Sequence, residues 1–184
     1  MFSIVRVFLV VSLAVYCMPS TADTLSGHVS RVTDGDSIDI LVGSNTQFEI
    51  QLQGIDAPET GQAYGTKSKQ HLSDSLTGKF VVVEYERLDR NGQILGKVLL
   101  GGEDMNLEQV RTGLAWHDKG FQDEQSIAER VRYSDAEMDA RRYKRGLWAD
   151  RRPVPPWDYR KSEQERRKAM EPFTIRSETL GKPY

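Results

Sequence analysis

Between Asp23 and Leu100 polar and apolar residues alternate with the period of β-strands more often than with that of helices. From Asp23 to Leu41 the alternation predicts two strands joined at Asp34-Gly35-Asp36, a turn sequence between β-rich flanks. Phe48, Ile50 and Leu52 then alternate with Glu49, Gln51 and Gln53, which predicts a half-buried third strand over 48–55, stopped at Gly54. "KFVVVEYERL" gives a fourth strand, and "DRNGQ" turns the chain into a fifth, "ILGKVLL".

The helical signals are fewer. Thr66 to Leu76 carries Leu72 and Leu76 four apart and ends at Gly78. "GGEDMNLEQVRTGLAW" fits a short helix with Leu107 and Val110 facing inward. Ser126 and Glu129 have the spacing of a capping box that opens a longer helix running to about Arg145, with Gly146 as its stop and Ile127, Val131 and Met138 on its core side. "PVPPW" reads as stiff and extended, and residues 168–184 show no period, which predicts a mobile tail. Five short strands with a helix between the third and fourth and two more after the fifth define an α+β fold: a five-stranded Greek-key barrel of the OB type, a platform suited to oligonucleotides.

The first residues are a different material. Arg6 precedes the apolar run "VFLVVSLAVYCM", shorter than the ~20 helical residues needed to span a bilayer, and Ser20 and Ala22 supply small residues at the spacing of a cleavage site. Residues 1–22 are therefore read as a signal peptide, 23–150 as the barrel domain and 151–184 as a basic, proline-containing extension. Cleavage removes Cys17, the only cysteine. The mature chain then has no disulfide framework, thiolate metal site or cysteine nucleophile, which suits a periplasmic or secreted protein with no membrane anchor.

Net charge is −2 overall but uneven. Arg141 to Lys168 contains eleven Lys and Arg against four Asp and Glu, so the rest of the mature chain is acidic. A basic end can attract phosphate polymers, or it can be a solvated helical tail.

Chemistry concentrates where strands end. Asp36 leaves the first turn, and Asp56 and Glu59 leave the third strand; on adjacent strands of a small barrel they converge. Oxygen donors without His or Cys suit a hard cation such as calcium, which accepts roughly six to eight oxygens, water and backbone carbonyls included. Taken singly, the first motif reads as an ordinary Asp-Gly turn and the second as a proline loop; found together about twenty residues apart, across a single strand, they point to a site.

Taken in order, "VTDGDS", "GIDAPE", "AYG", "DRNGQILGKV", "NLEQVRTGLAW" and "RGLWAD" resemble the thermonuclease (staphylococcal nuclease-like) family from about Leu25 to Asp150, and "PPWDYR" is similar to the extension of its exported bacterial members. The resemblance implies a calcium-dependent phosphodiesterase acting on DNA and RNA. It implies metal ligands at Asp36, Asp56 and the Ala57 carbonyl, and Glu59 as the group that orients or deprotonates the attacking water. It also implies two phosphate-gripping arginines, at positions occupied in this chain by Gln51 and Gln93. A glutamine amide donates hydrogen bonds but carries no charge and cannot form the guanidinium fork.

Arg90, Arg31 and Lys97 are the nearest cations by sequence that could substitute. His28, His71 and His117 lack metal-ligand spacing and read as surface or packing residues. Phe121 is a candidate for stacking on a substrate base, Trp116 reads as core, and Trp148 and Trp157 read as anchors of the extension. Two functions remain: a calcium-dependent nuclease acting as a monomer on single-stranded DNA or RNA, and a catalytically impaired relative that binds nucleic acid or a protein partner through the same barrel.

Overall fold

The computed structural model describes residues 23–88 and 93–179. Three antiparallel strands open the barrel: β1 (Asp23–Val32), β2 (Ser37–Val42) and β3 (Thr46–Leu52). A two-residue strand β4 (Ile55–Asp56) follows, and then helix α1 (Gly65–Leu76). Strands β5 (Phe80–Leu88) and β6 (Ile94–Leu100) pair with each other, and β5 pairs with β1. The circle closes where β3 runs parallel to β6, with Ile50 opposite Ile94 and Leu52 opposite Gly96. This is a closed five-stranded barrel of the OB type, with a short edge strand β7 (Glu103–Asp104) added to β6. The turn proposed between β5 and β6 lies outside the described residues.

The closed sheet buries one face of every strand. Ile38, Ile40, Ile50, Leu52, Val83 and Val98 are almost wholly withdrawn from solvent, and Leu72 and Leu76 of α1 cap the same core. Each such side chain contributes about 1.5–3 kcal/mol by leaving water. Helix α2 (Met105–Arg111) packs beside β6 and α3, its first turn capped by Asp104, whose carboxylate accepts the Leu107 N–H. The chain then makes a two-residue strand β8 (Trp116–His117), which pairs antiparallel with β4 and sets Trp116 opposite Asp56.

Helix α3 (Ile127–Arg142) begins with the capping box expected at Ser126 and Glu129, both hydrogen bonds being present. Its inward face differs from the sequence expectation. Ile127, Val131 and Met138 are exposed, and Tyr133, Glu137 and Ala140 are buried instead. The cause is a buried acid: Glu137 accepts the His117 N–H and is paired with Lys119 and Arg141, so a charged residue holds a core position that hydropathy assigns to the surface.

Beyond Gly146 the extension also departs from expectation. The chain forms helix α4 (Pro156–Thr179) where an extended segment and a mobile tail were expected. Proline fits the first helical position, because its missing N–H would be unpaired there anyway. The helix is nearly all polar, so no apolar period reveals it. Among the described residues no helix is long and apolar enough to cross a membrane. The proposed signal peptide, residues 1–22, lies outside the described residues.

Candidate active site

Two loops meet at one mouth of the barrel, and close packing holds them together. In the β1–β2 turn, the Asp36 carboxylate leaves the strand and accepts the Ala57 N–H at 2.6 Å, which ties it to the loop after β4. Gly35 permits this approach: a Cβ there would lie 2.7 Å from the Ala57 Cβ and 2.1 Å from the Ser68 Oγ. Gly65 does the same for the other loop, since a Cβ on it would fall 1.8 Å from the Glu59 carbonyl oxygen.

Two polar side chains of α2, both fully buried, fix the ends of this arrangement. The Gln109 amide donates to the Gly35 carbonyl at 2.6 Å and to Ser68, while its oxygen is 2.6 Å from His71 Nδ1. Asn106 accepts the Val98 N–H and donates to the carbonyls of Gln53 and Gly96, which holds the end of β3 against β6. Nothing in the sequence pattern singled out either residue. Both lie in the "NLEQ" segment, where a polar residue at an inward helical position was the available signal.

The mouth encloses a cavity of about 680 Å³. Asp36, Gln51, Asp56, Ala57, Glu59, Gln93 and Phe121 all line it, so seven of the residues singled out from sequence share one space. Three further acids, Asp34, Asp118 and Glu124, line it as well and were not anticipated. Arg90 lies outside the described residues. Arg31 and Lys97 do not line the cavity: Arg31 pairs with Asp39 on β2, and Lys97 pairs with Glu84 and Glu129 on another face. His117 is buried against Gln125, and the partly buried His71 is hydrogen-bonded to Gln109, in keeping with packing roles.

Gln51 and Gln93 are engaged with neighbours. Gln51 accepts a hydrogen bond from Ser37 at 2.5 Å and hydrogen-bonds Asp36, and Gln93 donates to Glu49 at 2.7 Å. Gln51 thus props up Asp36, and neither amide adds positive charge.

The cation in this space comes from α4. Arg160 donates from Nη1 to Asp56 Oδ1 at 3.0 Å and to Glu59 Oε1 at 2.8 Å, and from Nη2 to Asp56 Oδ2 at 2.7 Å. It is the one basic side chain among the described residues lining the cavity. The Asp56 side chain is 11% exposed and that of Arg160 49%. Burial therefore pushes the Asp56 carboxyl above its ordinary value, and the Arg160 hydrogen bonds pull it back only in part. The same hydrogen bonds hold Arg160 above its ordinary value and fully charged. Asp36 is pushed up to about 7, by burial first and by the nearby Asp56 in addition, against the hydrogen bonds from Ala57 and Gln51.

Two buried carboxylates, both raised by burial and Asp36 further by Asp56, in a cavity lined by no His or Cys among the described residues, match the chemistry of a hard divalent cation. Among the described residues no group of three or more His, Cys, Asp and Glu side chains is arranged to hold a metal ion. A cation here would rest on Asp36, Asp56, the Ala57 carbonyl and water, which is a small protein share of the six or more oxygens calcium takes.

Beside the cavity runs an apolar groove of about 840 Å³ lined by Trp116, Phe121, Met138 and Trp157, and Phe121, half exposed, belongs to both spaces. Trp116 packs edge-on against Trp148 at 4.4 Å and against Trp157 at 5.5 Å. Trp116 and Trp148 are buried and Trp157 is partly exposed, so the tryptophans carry the packing roles expected of them.

An OB-type barrel with an acidic cavity at the strand ends and a basic helix laid across it defines a class of α+β domain. The family model for staphylococcal nuclease homologues matches residues 49–150. The chain is 36% identical over 156 residues to an uncharacterized endonuclease of Escherichia coli, covering 84% of this chain and 97% of that protein. It is 35% identical to a micrococcal nuclease of Shigella flexneri (80% of this chain, 86% of the relative) and 32% identical to protein ParB of Escherichia coli (90% and 96%). The chain belongs to the staphylococcal nuclease homologue family.

Proposed function

We propose that this protein is an exported, calcium-dependent phosphodiesterase that cleaves single-stranded DNA or RNA. The observation that carries the reading is the convergence of Asp36, Asp56 and Glu59 on one cavity of an OB barrel, beside a groove that exposes the rings of Phe121 and Trp157. The names of the relatives, endonuclease and micrococcal nuclease, support it.

In this reading Asp36, Asp56 and the Ala57 carbonyl would hold calcium. Bound calcium supplies positive charge that polarises the phosphoryl group. Glu59, with its side chain about one-third exposed at the cavity wall, orients a water and takes its proton as the oxygen attacks phosphorus. The bond from phosphorus to the leaving oxygen breaks, and that oxygen takes a proton from solvent. Phe121 offers an exposed ring on which a base can stack, a contact every base can make, so the groove is expected to be tolerant of sequence.

A second reading has its own observation. Gln51 and Gln93 are neutral and hydrogen-bonded to Ser37 and Glu49, so among the described residues the barrel strands bring no cation into the cavity. That favours a relative that binds nucleic acid or a protein partner without cutting.

One assay separates the two. The mature protein is incubated with a single-stranded oligonucleotide in calcium and in chelator, beside Asp36→Ala. Cleavage in calcium that is lost in chelator and in the variant supports the nuclease; intact substrate in every lane, with binding retained, supports the second reading. Export is tested by N-terminal sequencing of protein recovered from the producing cells: a first residue of Asp23 supports it, and a retained Met1 contradicts it.

A further inference from the structure

The cavity poses an electrostatic problem that, among the described residues lining it, Arg160 alone addresses with positive charge. A phosphodiester is an anion, and its hydrolysis builds further negative charge on the phosphoryl oxygens, yet Asp34, Asp36, Asp56, Glu59, Asp118 and Glu124 all face the same space. Two carboxylates at most would be neutralised by a bound divalent cation. Gln51 and Gln93 cannot supply charge.

We propose that Arg160, carried by α4 of the C-terminal extension, is the residue that grips the substrate phosphate in this site. The inference rests on the phosphodiesterase reading given above and names the group that makes it workable. Three observations converge on it. Arg160 lines the cavity together with Asp36, Asp56 and Glu59, and with Gln51 and Gln93. Its guanidinium has five N–H groups; three are donated to Asp56 and Glu59, and Nε–H and the second Nη2 hydrogen make no hydrogen bond to a described residue. Its side chain is half exposed, open to a ligand entering from solvent, and it stays charged at any working pH.

Its position is built rather than incidental. Arg160 lies 104 residues from Asp56 along the chain, and the first turn of α4 is seated on the β4–β8 pair. Trp157, three residues earlier on the same helix, packs against Trp116, which is the cross-strand partner of Asp56. One face of α4 thus sets a ring on one strand and a guanidinium on the other. The segment leading into the helix is tied to the Glu59 loop, where Gln62 donates to the Val154 carbonyl at 2.6 Å. Gly61 leaves room for Tyr159, whose Oη would lie 3.0 Å from a Cβ at that position. A guanidinium held by two carboxylates keeps its plane fixed, so its remaining donors meet a phosphate without further ordering.

The test uses the full mature chain. Arg160→Ala, Arg160→Gln and Arg160→Lys are compared for the rate of cleavage of a single-stranded oligonucleotide in saturating calcium. The same proteins are titrated with that oligonucleotide in chelator at several salt concentrations. Arg160→Gln retains much of the stem, so lost packing and lost charge are separated, and circular dichroism verifies each fold. Removing one transition-state donor is expected to lower kcat by about a hundred- to a thousandfold. Loss of one phosphate contact is expected to flatten the salt dependence of affinity by about one unit of slope. Lysine should keep most of the slope but recover little of the rate, since it lacks the fork. A variant that cleaves at or above the wild-type rate, as release of a blocking ion pair would produce, overturns the proposal. So does a salt slope unchanged by Arg160→Gln. If the wild-type protein does not cut at all, the phosphodiesterase reading fails by itself, and the salt slope still decides whether Arg160 meets a phosphate.

Discussion

At the scale of single residues the proposed chemistry turns on Glu59. Glu59 reaches Arg160 through one oxygen, Oε1, and its side chain is about one-third exposed, so it can meet a water. Glu59→Gln keeps the shape and removes the carboxylate proposed as the base; kcat is expected to fall by about a hundred- to ten-thousandfold with an unchanged melting temperature, measured by oligonucleotide cleavage and thermal unfolding. Gln109 is the opposite case, a buried amide that supports the site without lining it. Gln109→Leu strands the Gly35 carbonyl, and an unsatisfied buried group of this kind costs about 1–3 kcal/mol. Urea unfolding should show that loss, and the rate should fall with it, because Gly35 positions Asp36.

The elements differ in how far local pattern fixes them. The barrel strands were legible because each buries one face, so Phe48, Ile50 and Leu52 announce β3 in a period of two. Helix α3 was legible at its start, where Ser126 and Glu129 carry a local capping chemistry, and illegible on its inward face, where Glu137 is stabilised by Lys119 and Arg141 from outside its own turn. Helix α4 gave no signal, since its contacts with the barrel are a few specific ones, Trp157 and Arg160 chief among them, and no continuous apolar stripe.

The start of α3 also carries a pH-dependent tie to the barrel. Burial acts to raise Glu129, but hydrogen bonds from Lys97 and Ser126 outweigh it and leave the carboxyl below its ordinary value of 4.5. A carboxylate depressed by folding stabilises the fold above its unfolded pKa and loses that contribution as pH falls through the folded one. Unfolding measured between neutral pH and pH 3 should therefore show a loss of stability below about pH 4.5 that is smaller in Glu129→Gln.

At the scale of the whole molecule, acid and base are segregated and then brought together by the fold. The barrel mouth gathers carboxylates from 34, 36, 56, 59, 118 and 124, while the window from Arg141 to Lys168 holds eleven basic residues, of which Arg160 enters the mouth. The acids Asp36, Asp56 and Glu59 were visible in sequence because they sit at the ends of predictable strands. Arg160 was not, because its partners Asp56 and Glu59 lie 104 and 101 residues away along the chain and meet it only through the packing of α4 on β4 and β8. Of the cations nearest in sequence, Arg31 and Lys97 are held elsewhere by ion pairs with Asp39, Glu84 and Glu129, and Arg90 lies outside the described residues.

The central claim is that Asp36 and Asp56 hold a calcium ion on which cleavage depends, and its most direct test is the cleavage rate of a single-stranded oligonucleotide as a function of free calcium, for the wild-type protein and for Asp36→Asn. A saturable rise from zero in chelator, displaced to at least about tenfold higher calcium in the variant, is the expected result, since calcium affinity follows the number of charged ligands, and tenfold is about 1.4 kcal/mol of binding free energy. A wild-type rate that is the same in chelator as in calcium, or a variant whose curve overlays the wild type, would contradict it.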